Sequence, residues 1–248
     1  MTLVIALSCK NGIVMASDGQ ATVGSSGGPV RVETQKIFKI NENTLFGASG
    51  SVGTIQKSLQ IVSEIKDLES DWTPSLMNNV RSKLFPLYRG EVERHVVFHR
   101  TINPNQVPPP PIADIILCKV QEDGQNMIWH IAPDCSDELL HELGYGCTGN
   151  GSIFAHTLLK GFDIKNMTTE EGKLLAYNTI KLAIETGAYG LGEPIDIWTV
   201  TKNKEEVEVH RLSKEEMMAL KDSWVSWKET EKELFKKIAL KGLEENIK

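Results

Sequence analysis

The sequence predicts an α+β fold of antiparallel strand pairs interleaved with helices, and three observations carry that reading. Two β-rich apolar runs, Thr2–Cys9 and Ile13–Asp18, are separated by Lys10-Asn11-Gly12, and Asn-Gly is the strongest short hairpin signal. At Val52 the apolar spacing changes to a helical one, with Val52, Ile55, Leu59, Ile61, Val62, Ile65 and Leu68 along one stripe. Strand character then returns at Ile112–Val120 and Met127–Ile131, joined by a turn at Glu122-Asp123-Gly124-Gln125.

The elements follow in chain order. Gly24-Ser25-Ser26-Gly27-Gly28-Pro29 reads as a loop. Val32–Ile40 and Thr44–Ser49 read as a second hairpin around Asn41-Glu42-Asn43. After the helix from Val52, a second begins near Pro74, because proline is tolerated in a first turn. It runs towards Arg94 with an interruption expected at Pro86. Asn103–Pro111 is proline-rich and reads as an extended surface loop. Ser152–Lys160 and Thr168–Thr186 are helical, the latter opening with Thr168 and Glu171 spaced as a capping box. Ile195–Thr201 and Val207–Leu212 are the last strands. Ser213–Lys248 is a highly charged helical segment bearing Met217, Leu220, Trp224, Trp227, Leu234 and Ile238. One domain over residues 1–212 with a helical extension over 213–248 is the expected organisation, without internal repeats.

Composition sets the broad class. The 248 residues can bury one substantial core, and 24% charged with 40% hydrophobic residues is ordinary for a soluble globular chain. A formal net charge of −6 gives no electrostatic reason to expect nucleic acid or an anionic membrane as partner. The four cysteines (Cys9, Cys118, Cys135, Cys147) lack C-x-x-C spacing, and Cys9 and Cys118 fall in apolar runs suited to reduced core thiols. The apolar start ends at Lys10-Asn11-Gly12 without a basic region before it, unlike a signal peptide or membrane span. A cytoplasmic location is the expectation.

The chemistry concentrates near the amino terminus. Thr2 follows the initiator methionine, and a small second residue is what a methionine aminopeptidase accepts. Removing Met1 places a hydroxyl nucleophile beside an α-amine whose reference pKa is about 7.7–8.0, able to act as its base. Asp18 and Lys36 lie in neighbouring strand-like segments. A lysine near the amine lowers its pKa, and an aspartate orients the lysine. Gly50, in the turn Ala48-Ser49-Gly50-Ser51, offers an unobstructed backbone N–H to an oxyanion.

Four segments resemble successive motifs of the proteasome β-type subunits, the N-terminal-nucleophile (Ntn) threonine peptidases. They are Thr2-Leu3-Val4-Ile5-Ala6, Ala16-Ser17-Asp18-Gly19-Gln20-Ala21-Thr22, Lys36-Ile37-Phe38-Lys39-Ile40 and Ser49-Gly50-Ser51-Val52-Gly53. The Ser-Asp-Gly-Gln-Ala-Thr run is most similar to the bacterial relative HslV. Further on, Thr148-Gly149-Asn150-Gly151-Ser152 resembles the family's Gly-Ser-Gly turn, and Met167-Thr168-Thr169-Glu170-Glu171-Gly172 its helix opening. The resemblance spans roughly residues 2–202.

It implies a four-layer αββα sandwich of two antiparallel sheets, and a threonine endopeptidase working without cofactor or metal. Thr2, Asp18, Lys36, Gly50 and Asn150 are the implied catalytic residues, and Ala21, Thr34, Ala48 and Val52 the pocket for the residue before the cleaved bond. A peptide or unfolded protein is the implied substrate, a homo-oligomeric ring the assembly, and an ATPase unfoldase a candidate partner. Three departures stand out. Gln20 replaces the arginine usual in proteasome β subunits, Asn150 replaces the turn serine, and Gly187-Ala188-Tyr189-Gly190-Leu191-Gly192 replaces an Asp-x-x-Ser-Gly-Gly segment. Gly192-Glu193-Pro194-Ile195-Asp196 instead resembles the Anbu branch of bacterial homologues. A non-catalytic ring subunit and an Ntn amidohydrolase of a small amide are the alternatives.

Other matches carry less. Gly24–Gly28 fits G-x-S-x-G, but Pro29 and a strand follow it rather than a helix. Gly149-Asn150-Gly151 lacks the lysine of a phosphate loop, and His95 and His99 lack the glutamate of a zinc-protease motif.

Overall fold

The computed structural model describes residues 2–25, 28–187, 190–203 and 206–245. Strands β1 (Val4–Cys9) and β2 (Gly12–Asp18) form the expected hairpin, paired Val4↔Ser17 through Cys9↔Gly12. β3 (Gln20–Ser25) and β4 (Gly28–Glu33) form a separate two-stranded ribbon. The glycine-rich stretch is therefore strand through Ser25 and again from Gly28, while Ser26 and Gly27 lie outside the described residues. The expected single strand Val32–Ile40 is broken at Thr34–Lys36, after which β5 (Ile37–Asn41) pairs with β6 (Thr44–Gly50).

α1 (Val52–Ser63) and α2 (Pro74–Ile102) come next. Pro86 does not interrupt α2. It stands on the exposed side, where water can meet the carbonyl it frees. Leu76, Val80, Leu84 and Tyr88 hold the opposite stripe in the core. β7 (Ala113–Val120), β8 (Asn126–Ile131), the short β9 (Asp137–Leu139) and β10 (Tyr145–Thr148) lead to α3 (Ser152–Leu159) and α4 (Thr169–Glu185). β9 and β10 are three and four residues long, too short to show a strand period in sequence. The Thr168–Glu171 capping box at α4 is present as expected. β11 (Ile195–Asn203) and β12 (Glu206–Arg211) complete the strands.

Two five-stranded antiparallel sheets result, ordered β10-β1-β2-β11-β12 and β5-β6-β7-β8-β9. Val4, Ala6, Ile13, Met15 and Val200 of the first join Ile37, Leu45, Ile116, Cys118 and Ile128 of the second in one buried cluster. On its other face the second sheet packs Phe46, Ala48, Leu117 and Trp129 against Val62, Val80, Leu84 and Tyr88 of α1 and α2. α4 contacts β1, β2 and β11. The chain is thus α+β with helices against antiparallel sheets.

Contacts divide the chain into two units, Met1–Arg211 and Leu212–Lys248. The second is α5 (Lys214–Glu245), capped by Ser213 and Glu216, each side chain accepting from the other's backbone N–H.

Candidate active site

Strand register brings the candidate residues to one end of the sheets. Asp18 ends β2 opposite Ile195, and Thr148 ends β10 opposite Val4, two residues after Thr2. Gly50 ends β6 opposite Ala113, and Lys36 directly precedes β5. These strand ends surround a cleft of about 190 Å³. Thr2, Ala21, Thr34, Lys36, Ala48, Gly50, Val52 and Asn150 all line it, together with Phe38, Ile55 and Gln56.

Asp18 lies beneath the cleft with no exposed surface, and its hydrogen bonds explain how burial is tolerated. Oδ1 accepts from the Leu3 backbone N–H at 2.9 Å and from Lys36 Nζ at 2.5 Å. Oδ2 accepts from the N–H groups of Gln20 and Gly192, each at 3.3 Å. Lys36, 4% exposed, also donates to the Gln20 carbonyl at 2.7 Å. Burial pulls the Lys36 amine below its ordinary pKa, while the Asp18 carboxylate opposes the shift by charge and hydrogen bond. Asp18 therefore ties together the residue after Thr2, the cleft lysine and the segment before β11.

The turn after β10 holds Thr2 from the other side. Gly149 has φ +96°, and a Cβ there would lie 2.1 Å from the Thr2 carbonyl oxygen, so only glycine fits. Gly151 N–H approaches the same oxygen at 3.4 Å. Gly50 is equally constrained, with φ +115° and the Ile112 carbonyl 2.2 Å from where a Cβ would stand. α1 begins two residues later without an acidic first turn, bringing its partially positive end to the cleft rim.

Several site features were not legible in the sequence. The Asp18 partners Leu3, Gln20 and Gly192 act through backbone atoms, which side-chain identity does not report. Of the segment replacing Asp-x-x-Ser-Gly-Gly, Ala188 and Tyr189 lie outside the described residues, while Gly192 contacts Asp18 directly. A hydroxyl–carboxylate–imidazole chain also adjoins the cleft. Ser49 Oγ is 2.8 Å from Thr148 Oγ1, which donates to Asp114 Oδ2 at 2.5 Å, and His130 Nε2 meets Asp114 Oδ1 at 2.5 Å. His95 and His99 lie in α2 outside the cleft lining with their rings tilted 50° to each other, and His95 Nε2 is 2.9 Å from the Pro108 carbonyl.

Residues 2–85 match the family model described as Proteasome subunit. A protein of Methanosarcina barkeri named proteasome subunit beta is 25% identical over 227 residues, which cover 90% of this chain and 94% of its own. The chain is similar over most of its length to proteins named proteasome subunit beta. The proteasome subunit beta of Methanococcus aeolicus is 26% identical, with 82% and 85% of the two chains covered. Proteasome subunit beta 2 of Thermococcus gammatolerans is 24% identical, with 83% and 94% covered. Among the described residues no helix is long and apolar enough to cross a membrane.

Proposed function

We propose that this chain is a threonine-type endopeptidase that uses Thr2, once Met1 is removed, as its nucleophile. The observation that carries the reading is the buried Lys36–Asp18 pair, whose lysine lines the cleft together with Thr2, Gly50 and Asn150. Buried ion pairs are weak sources of stability, because desolvation offsets most of the attraction. Placing one beside a hydroxyl nucleophile has a chemical use.

Thr2 Oγ attacks the peptide carbonyl while the α-amine, directly or through a water, takes the hydroxyl proton. The positive charge of Lys36 keeps that amine neutral near physiological pH, and Asp18 fixes the lysine's position. The Gly50 N–H, aided by the α1 terminus, stabilises the tetrahedral oxyanion, an interaction worth roughly 3–4 kcal/mol where such a donor has been removed. The protonated amine then donates to the leaving nitrogen, and water hydrolyses the resulting ester. Asn150 takes the place of the family's turn serine at the cleft edge. Ala21, Thr34, Ala48 and Val52 form an open, mostly apolar pocket for the residue before the cleaved bond.

The four-layer αββα sandwich over residues 1–212, with 213–248 as an extension, is the architecture proposed for this activity. A cytoplasmic, ring-shaped homo-oligomer enclosing the clefts, with peptide or unfolded protein as substrate and an ATPase unfoldase as feeder, completes the reading. The experiment is turnover of fluorogenic peptides by the wild type and by Thr2→Ala. Cleavage abolished by the substitution supports the peptidase. Assembly into rings without cleavage supports the non-catalytic subunit, a reading favoured by the loss of the Asp and Ser from segment 187–192. Turnover of small amides alone supports the amidohydrolase.

A further inference from the structure

The polar chain beside the cleft runs through four strands and both sheets. Ser49 is on β6 and Asp114 directly opposite it on β7, with His130 on β8. Thr148 reaches them from β10 in the other sheet. Its hydrogen-bond direction follows from valence. An ionised carboxylate only accepts, so Thr148 commits its single hydroxyl proton to Asp114. Ser49 is then the donor in the 2.8 Å contact between hydroxyls. His130 supplies an N–H to the second carboxylate oxygen. Ser49 and Thr148 are 5% and 1% exposed, so water does not readily replace either bond.

The placement of the two hydroxyl residues is what matters. Ser49 directly precedes Gly50, the proposed oxyanion donor. Thr148 directly precedes Gly149, which packs against the Thr2 carbonyl. The Ser49 Cβ is itself only 3.3 Å from where a Gly149 Cβ would stand. We propose that Ser49, Thr148, Asp114 and His130 are positioning residues, a cross-sheet clamp that sets the separation between the nucleophile Thr2 and the Gly50 N–H. None of the four is assigned to touch the reacting atoms. Asp114 orients Thr148, Thr148 orients Ser49, and the two strand ends follow. The inference rests on the Thr2 reading above, and its consequence is specific. Loosening the clamp misaligns the oxyanion donor, which lowers kcat, while the substrate pocket around Ala48 and Val52 faces α1 and keeps its KM.

The test uses the full chain with Thr148→Val, Thr148→Ser and Thr2→Ala, following peptide turnover and the thermal midpoint. Thr148→Val keeps the shape but removes both hydrogen bonds, and kcat is expected to fall about tenfold at unchanged KM. Thr148→Ser restores the hydroxyl and is expected to return kcat to within about twofold of wild type. Wild-type kcat in a folded Thr148→Val, or a Thr148→Ser no better than Thr148→Val, overturns the clamp. Turnover that survives Thr2→Ala overturns the nucleophile instead. Amide exchange then judges the clamp without any activity: Thr148→Val is expected to speed exchange in residues 47–53 and 148–152 roughly tenfold while α4 is unchanged. Unaltered exchange in those two segments overturns it.

Discussion

Asp18 meets the Lys36 amine and Asp114 the His130 imidazole, each at 2.5 Å beside the same cleft, yet Asp18 has no solvent exposure while 27% of the Asp114 side chain is open. Asp18 is met by three backbone N–H groups as well as Lys36, so its carboxylate is held in place from several sides. Asp114 is met by a hydroxyl and a titratable imidazole, whose pKa the Asp114 hydrogen bond raises above its ordinary 6.5. The difference separates two tasks. On the proposed reading the enclosed pair is an electrostatic fixture beneath the nucleophile, whereas the more open pair exposes the neighbouring geometry to solvent.

Removing Lys36 should give the largest effect. Lys36→Ala leaves Asp18 buried and unpaired, and stability is expected to fall by about 3–5 kcal/mol, measured by denaturant unfolding. Any folded fraction should lose nearly all peptide turnover, because the α-amine then stays protonated at neutral pH. A variant with full activity would mean that the buried pair is purely structural.

Gly149→Ala should come next. The added methyl meets the Thr2 carbonyl and the φ of +96° is strained, a combination expected to cost about 1–3 kcal/mol. Because the clash falls on Thr2, turnover should drop about a hundredfold, more than the stability loss explains. Equal kcat in the folded variant would show that the turn does not position Thr2.

His130→Gln should give the smallest effect and the one most specific to the open pair. The Asp114 hydrogen bond and charge, with Glu138 across on β9, raise the His130 pKa above its ordinary 6.5, against a smaller lowering by burial. A raised folded pKa contributes stability fully present below about 6.5, lost as pH rises through the folded value. Thermal midpoints of wild type should therefore decline over that alkaline interval, and His130→Gln should flatten the decline. An identical pH profile in the variant would place His130 outside the linkage.

Sequence and structure agree most where side chains alone determine the element. The Asn11-Gly12 hairpin, the period change at Val52 and the Thr168–Glu171 cap all occur as read. Pro86 defeated the local rule because tertiary packing of the Leu84–Tyr88 stripe outweighs one lost helix bond on an exposed face. Thr2, Lys36, Gly50 and Asn150 line one cleft. The backbone donors to Asp18 and the Ser49–Thr148–Asp114–His130 chain were not visible, because they depend on register between strands far apart in sequence.

Mass spectrometry of the chain after treatment with a peptide bearing a C-terminal electrophile tests the central proposal most directly. A chain beginning at Thr2 and carrying one adduct on that residue, with labelling lost in Lys36→Ala, is the expected result. A chain that retains Met1, or one that begins at Thr2 and stays unlabelled while other residues react, would contradict it.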